Sequence, residues 1–321
     1  MGAARQGAAC RVQAVRTKSL LEGALLAALV ALLGLVSFAA GQFWLLAIPI
    51  LLAYLRNGGR NAVMVTGVGS FLLLLWGGPF VGLSTLGFGA ALGLTPGWAI
   101  RRGAGAAWTV VLMGAAFLAV TVLGALGAIV VLHYNFWAQQ WTAVTHSLRA
   151  HPGLLKTLLR LTPEAGIALL RNAIPVLATA VALGQAAGAY VIAALVLSRL
   201  HAPLPTVAPF ADWRAPRWLF WVYMLAFAVY LRAHGKGEQV LPAAALNLLM
   251  GLGLVYTVTG LATAYGWLRR RGLPRARSAL IVALGAALLG VVIPILGMLA
   301  SLMDLREPLG GSNGWNGGQR P

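Results

Sequence analysis

Long apolar runs, separated by short polar or basic breaks, set the pattern of this chain. Nine such segments lie at 20–40, 43–55, 62–77, 79–100, 107–132, 173–198, 218–231, 240–267 and 279–303. A bilayer core about 30 Å thick is crossed by a helix of roughly 20 apolar residues. Segments 43–55, 62–77 and 218–231 fall short of that length. The pattern therefore predicts about 7–9 spans. Inside hydrocarbon every backbone polar group must be paired within its own element, so the spans are helices. The expected fold class is all-α: a polytopic transmembrane helix bundle.

The breaks divide the chain further. Residues 1–18 form a basic N-terminal tail, 19–305 the transmembrane domain, and 306–321 a glycine-rich tail expected to be disordered. The break at 133–172 holds Trp137, Trp141 and a leucine-rich stretch at 154–161, followed by Thr162-Pro163-Glu164. Thr before Pro reads as an N-cap and first helical residue. We expect two short amphipathic helices here, on the outer leaflet or over the bundle. The break at 201–217 carries Pro203, Pro205, Pro209 and Pro216, which exclude a regular helix.

Composition sharpens this picture. Of the 321 residues, 60% are hydrophobic and 9% charged, far below the charge a soluble surface needs. The formal charge is +18. Such a value can signal nucleic-acid binding, but here the basic residues sit in short clusters between apolar runs, as in the cytoplasmic loops of a membrane protein. With a cytoplasmic N-terminus and nine spans, 16 of the 24 Lys and Arg residues fall inside. That bias predicts a multi-pass membrane protein with its N-terminus in the cytoplasm and its C-terminus outside. Segment 20–40 is too long for a signal-peptide core and contains Glu22, so we read it as a retained span.

Candidate chemistry is sparse. The acids are Glu22, Glu164, Asp212, Glu238, Asp304 and Glu307, none central in a span. Glu22 is read as a first-turn residue of segment one, favoured there by the helix dipole. Cys10 is the sole cysteine, and the five histidines are not spaced for a shared helical face. We therefore expect no metal site, no cofactor and no enzyme. Neutral polar residues inside spans are more informative. Thr66, Ser70, Ser84, Thr85, Thr179, Gln185, Tyr190, Asn247, Tyr256, Thr257 and Thr259 should face other helices or a cavity. Gln185, Tyr190, Asn247 and Tyr256 are the candidate ligand-binding residues, because their side chains bond a polar ligand without carrying charge. Gly89, Gly93 and Gly97 follow a small-xxx-small spacing, as do Gly184 and Gly188, and predict close helix packing. Ala24, Ala28 and the overlapping Ala27, Ala31 make a flat stripe on the first segment.

Several motifs also occur in order along the chain. These are Arg16-Thr17-Lys18-Ser19-Leu20-Leu21-Glu22-Gly23-Ala24, the loop residues Phe210, Trp213 and Pro216, then Asn247, and the run Gly251 to Gly260. Leu296-Gly297 and Asp304-Leu305-Arg306 close the series. In this the chain resembles the YybS-like family of bacterial membrane proteins, known by a DUF2232 domain, over roughly 16–307. Such proteins look like distant relatives of the substrate-binding S components of energy-coupling-factor transporters. That resemblance implies that the alanine stripe (Ala24, Ala27, Ala28, Ala31) docks a membrane coupling subunit working with ATPases. It also implies a small-molecule-binding subunit with a small polar ligand. The alternative expectation is a non-transporting scaffold that organises partner proteins through its Gly and Ala faces.

Overall fold

The computed structural model describes residues 2–133, 136–151, 162–202, 204–233, 240–288 and 290–303. All regular structure among them is helical. The leucine-rich stretch 154–161, the closing Asp304-Leu305-Arg306 and the glycine-rich tail lie outside the described residues, as do His234, Glu238 and Glu307. The helices are α1 (Gly2–Ala40), α2 (Ala47–Asn57), α3 (Gly59–Gly77), α4 (Pro79–Gly89), α5 (Thr95–Arg101), α6 (Ala106–Leu132) and α7 (Phe136–Ala150). They continue with α8 (Pro163–Arg199), α9 (Trp218–Ala233), α10 (Val240–Arg270), α11 (Arg275–Leu288) and α12 (Val292–Leu302). A five-residue π-helical turn, Ala90–Leu94, joins α4 to α5. Six stretches are long and apolar enough to cross a membrane: Leu20–Ala40, Gly59–Gly77, Pro79–Arg101, Ala106–Val130, Pro163–Arg199 and Val240–Arg270. Trp44–Asn57, Trp218–Ala233 and Val292–Leu302 are shorter apolar helices. Trp76 is 91% exposed, and many leucines, valines and phenylalanines are also bare. Lipid solvates such a surface, whereas water would drive it to associate.

The structure corrects four sequence expectations. Segment 279–303 is not one span: α11 ends at Leu288, and Gly290 and Val291 form a turn before α12. Gly290 and Pro294 together weaken continuous helix there. Glu22 is not in a first turn, because α1 starts at Gly2. Its carboxylate instead pairs with Arg56, 3.1 Å away on α2. Thr162 does cap a helix, accepting from the Ala165 N–H at 3.3 Å, but that helix is not a short amphipathic one. It is α8, which runs without interruption through Pro175 to Arg199. Thr179 lies on an exposed face rather than in the bundle; threonine hydroxyls in helices can return to local backbone, which makes such a position tolerable.

Two compact units emerge. The first comprises Met1–Leu170 and Leu177–Val207, the second Arg171–Val176 and Ala208–Pro321. In the first, α1 to α3 pack through a core of Val30, Leu46, Ile50, Leu51, Ala62 and Val65. Gly58 (φ 91°) and Gly78 (φ 84°) reverse the chain between α2, α3 and α4 in a single residue each, a backbone state that costs other residues strain. Phe88 links Phe43 (ring centroids 4.3 Å) to Phe117 (4.6 Å). The glycine row on α4 and α5 is used inside this unit. Gly89 and Gly93 lie under Ile50, and Gly97 lies under the Tyr54 ring. In the second unit α10 crosses α12 with backbone against backbone. A Cβ on Gly297 would strike the Tyr256 carbonyl, and one on Gly260 the Ile293 carbonyl.

Candidate ligand-binding site

Gln185 and Tyr190 belong to the first unit, and Asn247 and Tyr256 to the second. In the first unit Gln185 Nε2 donates to Gln42 Oε1 at 3.0 Å. Its own Oε1 is buried without a partner, as is the indole Nε1 of Trp44. Trp44 covers Gly188, one turn along α8 from Gln185. Tyr190 is fully buried, and its hydroxyl donates to the Pro205 carbonyl at 2.6 Å, fixing the proline-rich segment to α8. That hydroxyl therefore serves the fold.

Asn247 is equally committed. Its Oδ1 accepts from the Val176 N–H at 3.3 Å, and its Nδ2 donates to the Asn172 carbonyl. It also donates to the Ala243 carbonyl at 2.9 Å. Asn172 and Val176 are an i, i+4 pair that a regular helix bonds directly. Pro175 sits beside them in α8 and disturbs that ladder. The Asn247 amide thus reaches both members of the disturbed pair. Tyr256 is buried, with its ring edge-on to Tyr223 at 5.8 Å. Its hydroxyl lies beside Ser301 but is buried without a hydrogen bond, while the Ser301 hydroxyl donates to the Met298 carbonyl at 2.7 Å.

The alanine stripe divides. Ala27 is buried against α3 and Ala31 is half-buried, whereas Ala24 and Ala28 are exposed beside Leu21, Leu25 and Leu32. Arg56, which holds Glu22, also donates to the Leu200 carbonyl at 3.1 Å, and so ties α1, α2 and the end of α8 together.

A cavity of about 640 Å³ opens in the second unit between the proline-rich segment, α10 and α11. None of the four candidate residues lines it. Its walls contain the aliphatic side chains of Leu261 and Val282 and the rings of Phe210 and Tyr265, and Arg269 and Arg275 also line it. The segment forms a wall because Ala211 packs on Gly266, where only hydrogen faces it (a Cβ would come within 3.4 Å), and Phe210 meets Tyr265 at 5.9 Å. Trp213 Nε1 donates to the Ala208 carbonyl at 2.9 Å and braces the turn. Arg269 donates to the Leu273 carbonyl, which orients it at the α10–α11 hairpin. Among the described residues no acid lines the cavity; Asp212, the acid nearest in sequence to its walls, is exposed.

Such a set can bind, through guanidinium contacts to an anion and apolar contacts to hydrocarbon. It holds no nucleophile paired with a base. Among the described residues no three His, Cys, Asp or Glu side chains converge as metal ligands. In the sequence Phe210 stands out only as part of a motif, and Arg269 and Arg275 only as two of the basic residues between apolar runs. The signal available was their position, an arginine cluster at a hairpin beside an aromatic, proline-rich loop.

No curated protein matches this chain, and no solved structure does. A family model, described as a predicted membrane protein (DUF2232), matches residues 24–305. That match covers most of the chain, including the Gly260 and Gly297 crossing and the cavity walls, and the chain belongs to the DUF2232 family of membrane proteins.

Proposed function

We propose that this protein is a non-enzymatic, small-molecule-binding subunit of a membrane assembly, and that its ligand occupies the cavity between the proline-rich segment, α10 and α11. The cavity carries the proposal: about 640 Å³ bounded by Phe210, Tyr265, Arg269 and Arg275, a combination of apolar wall and oriented polar groups expected of ligand pockets. The amides favoured by sequence are set aside as ligand groups in the second unit, since Asn247 is occupied by the α8 backbone. Gln185 keeps a buried unpartnered carbonyl beside Gln42 and remains a secondary candidate. An S-component-like role in transport, with energy supplied by partner ATPases, belongs to the same proposal, as does a plasma-membrane location with a cytoplasmic N-terminus. The basic residue distribution supports that orientation.

The test is extraction in mild detergent followed by mass spectrometry of retained small molecules, compared with the A283W variant. Ala283 lines the cavity and is exposed, so tryptophan fills the space without disturbing the core. Retention of the same molecules by both proteins would refute the cavity as the site. A second reading, the scaffold, is favoured by one observation: Ala24 and Ala28 face outward and leave a flat strip between exposed leucines. If A24L/A28L releases a co-purifying protein while A283W changes no ligand, the scaffold stands and the binder falls.

A further inference from the structure

The two arginines of the cavity are not distributed at random along it. Arg269 is in the last turn of α10, and Arg275 is the first residue of α11, so both sit at the hairpin end. The apolar walls extend away from that end. Leu261 lies eight residues before Arg269 on α10, about 12 Å along the axis. Val282 and Ala286 lie seven and eleven residues beyond Arg275 on α11, about 10 and 16 Å. The cavity is therefore polarised, cationic at one end and hydrocarbon-like along the rest. More positive charge surrounds the cationic end. Arg270 donates to the Gly266 carbonyl, Arg271 stacks 3.7 Å over the Trp267 ring, and Arg277 follows on α11. Trp267 is half exposed, as an aromatic side chain at headgroup level is.

We infer that the cavity binds an anionic phospholipid of the surrounding bilayer, with the phosphate between Arg269 and Arg275 and an acyl chain laid between α10 and α11. This rests on reading the cavity as a ligand site. Guanidinium forks match phosphate oxygens in geometry and charge. Basic pockets between transmembrane helices favour acidic headgroups. A water-soluble anion would use the arginines but leave the aliphatic wall unpaired with anything apolar. A neutral lipid would fill the wall and leave two guanidiniums without a counter-charge.

The experiment uses the full chain in nanodiscs of equimolar phosphatidylcholine and phosphatidylglycerol, transferred to neutral detergent for native mass spectrometry. Wild-type protein should retain phosphatidylglycerol over phosphatidylcholine by about thirtyfold, from two arginines near the membrane surface. R269Q/R275Q should bring that ratio close to one in protein that still unfolds cooperatively. A283W should lower retention of both lipids. Equal retention of the two lipids by wild-type protein, or an undiminished preference in R269Q/R275Q, overturns the lipid assignment. Displacement of the bound lipid by millimolar glycerol 3-phosphate overturns it too, in favour of a soluble anion. If the arginine variants change nothing but A283W still removes a bound molecule, the ligand class is wrong and the cavity reading survives. If A283W removes nothing, both fall.

Discussion

At the scale of single residues, polar groups in this bundle are spent mostly on backbone. Thr66, Thr257 and Thr263 each donate to the carbonyl four residues back, and Asn247 mends a helix more than seventy residues distant in sequence. Replacing Asn247 with leucine strands the Val176 N–H and the Asn172 carbonyl beside Pro175. We expect N247L to lower stability by about 2–4 kcal/mol, as measured by thermal unfolding in detergent. P175A should recover most of that loss in the double mutant, because alanine restores an N–H and a regular ladder. An additive double mutant would show that Asn247 acts elsewhere. Glu22 and Arg56 are a weaker pair, partly exposed at 30% and 44%. E22Q should cost no more than about 1 kcal/mol in the same assay.

At the scale of elements, spacing on the sequence told which helices would meet closely but not which would meet each other. The small-residue row Gly89, Gly93, Gly97 was legible as a packing face, and its partner, Ile50 and Tyr54 on α2, was not. Apolar runs located the helices well, since hydrocarbon imposes both length and composition. They could not locate the start of α1, whose first eighteen residues lack a long apolar run, nor the continuity of α8 through Pro175, beside which the Asn247 amide bonds the backbone. The crossing of α10 and α12 offers a direct comparison. G297A places a methyl group against the Tyr256 carbonyl and should destabilise by about 1–3 kcal/mol. G285A on α11 meets nothing within 4 Å and should be neutral or stabilise by up to about 1 kcal/mol. Equal melting temperatures for the two variants would rule out the close crossing.

At the scale of the whole molecule, membrane sidedness depends on helices of marginal length. α9 has 16 residues and reaches about 24 Å, less than a bilayer core. Trp218 begins it and Arg232 is in its last turn, so snorkelling and local thinning suit it to a crossing. Reporter fusions after Arg102 and after Arg277 should both read cytoplasmic if α9 crosses. Opposite readings would mean that it does not, and would reduce the number of spans by one. The cavity beside the proline-rich segment was the least legible feature at any scale. Its walls come from a loop, a helix end and a helix start, and no periodicity in the sequence marks three such pieces as neighbours.

The π-helical turn between α4 and α5 acts as a vernier. Two four-residue steps along a regular α-helix overshoot by about 40° each, so Gly89, Gly93 and Gly97 would spiral off a straight partner. Over Ala90–Leu94 the ladder reaches back five residues, with the Thr95 N–H on the Ala90 carbonyl, and the winding slackens enough to offset most of that drift. The row then tracks Ile50 and Tyr54, and Arg101 arrives where its guanidinium lies 5.1 Å from the Tyr54 ring and donates to the Tyr54 carbonyl at 2.9 Å. Chain length is therefore fixed at this point in a way that side-chain identity is not. Substituting Ala91 with another small residue should be tolerated. Inserting a further alanine after it, one residue more than the wide turn absorbs, would rotate everything downstream by about 100°, swinging Gly97 and Arg101 off α2.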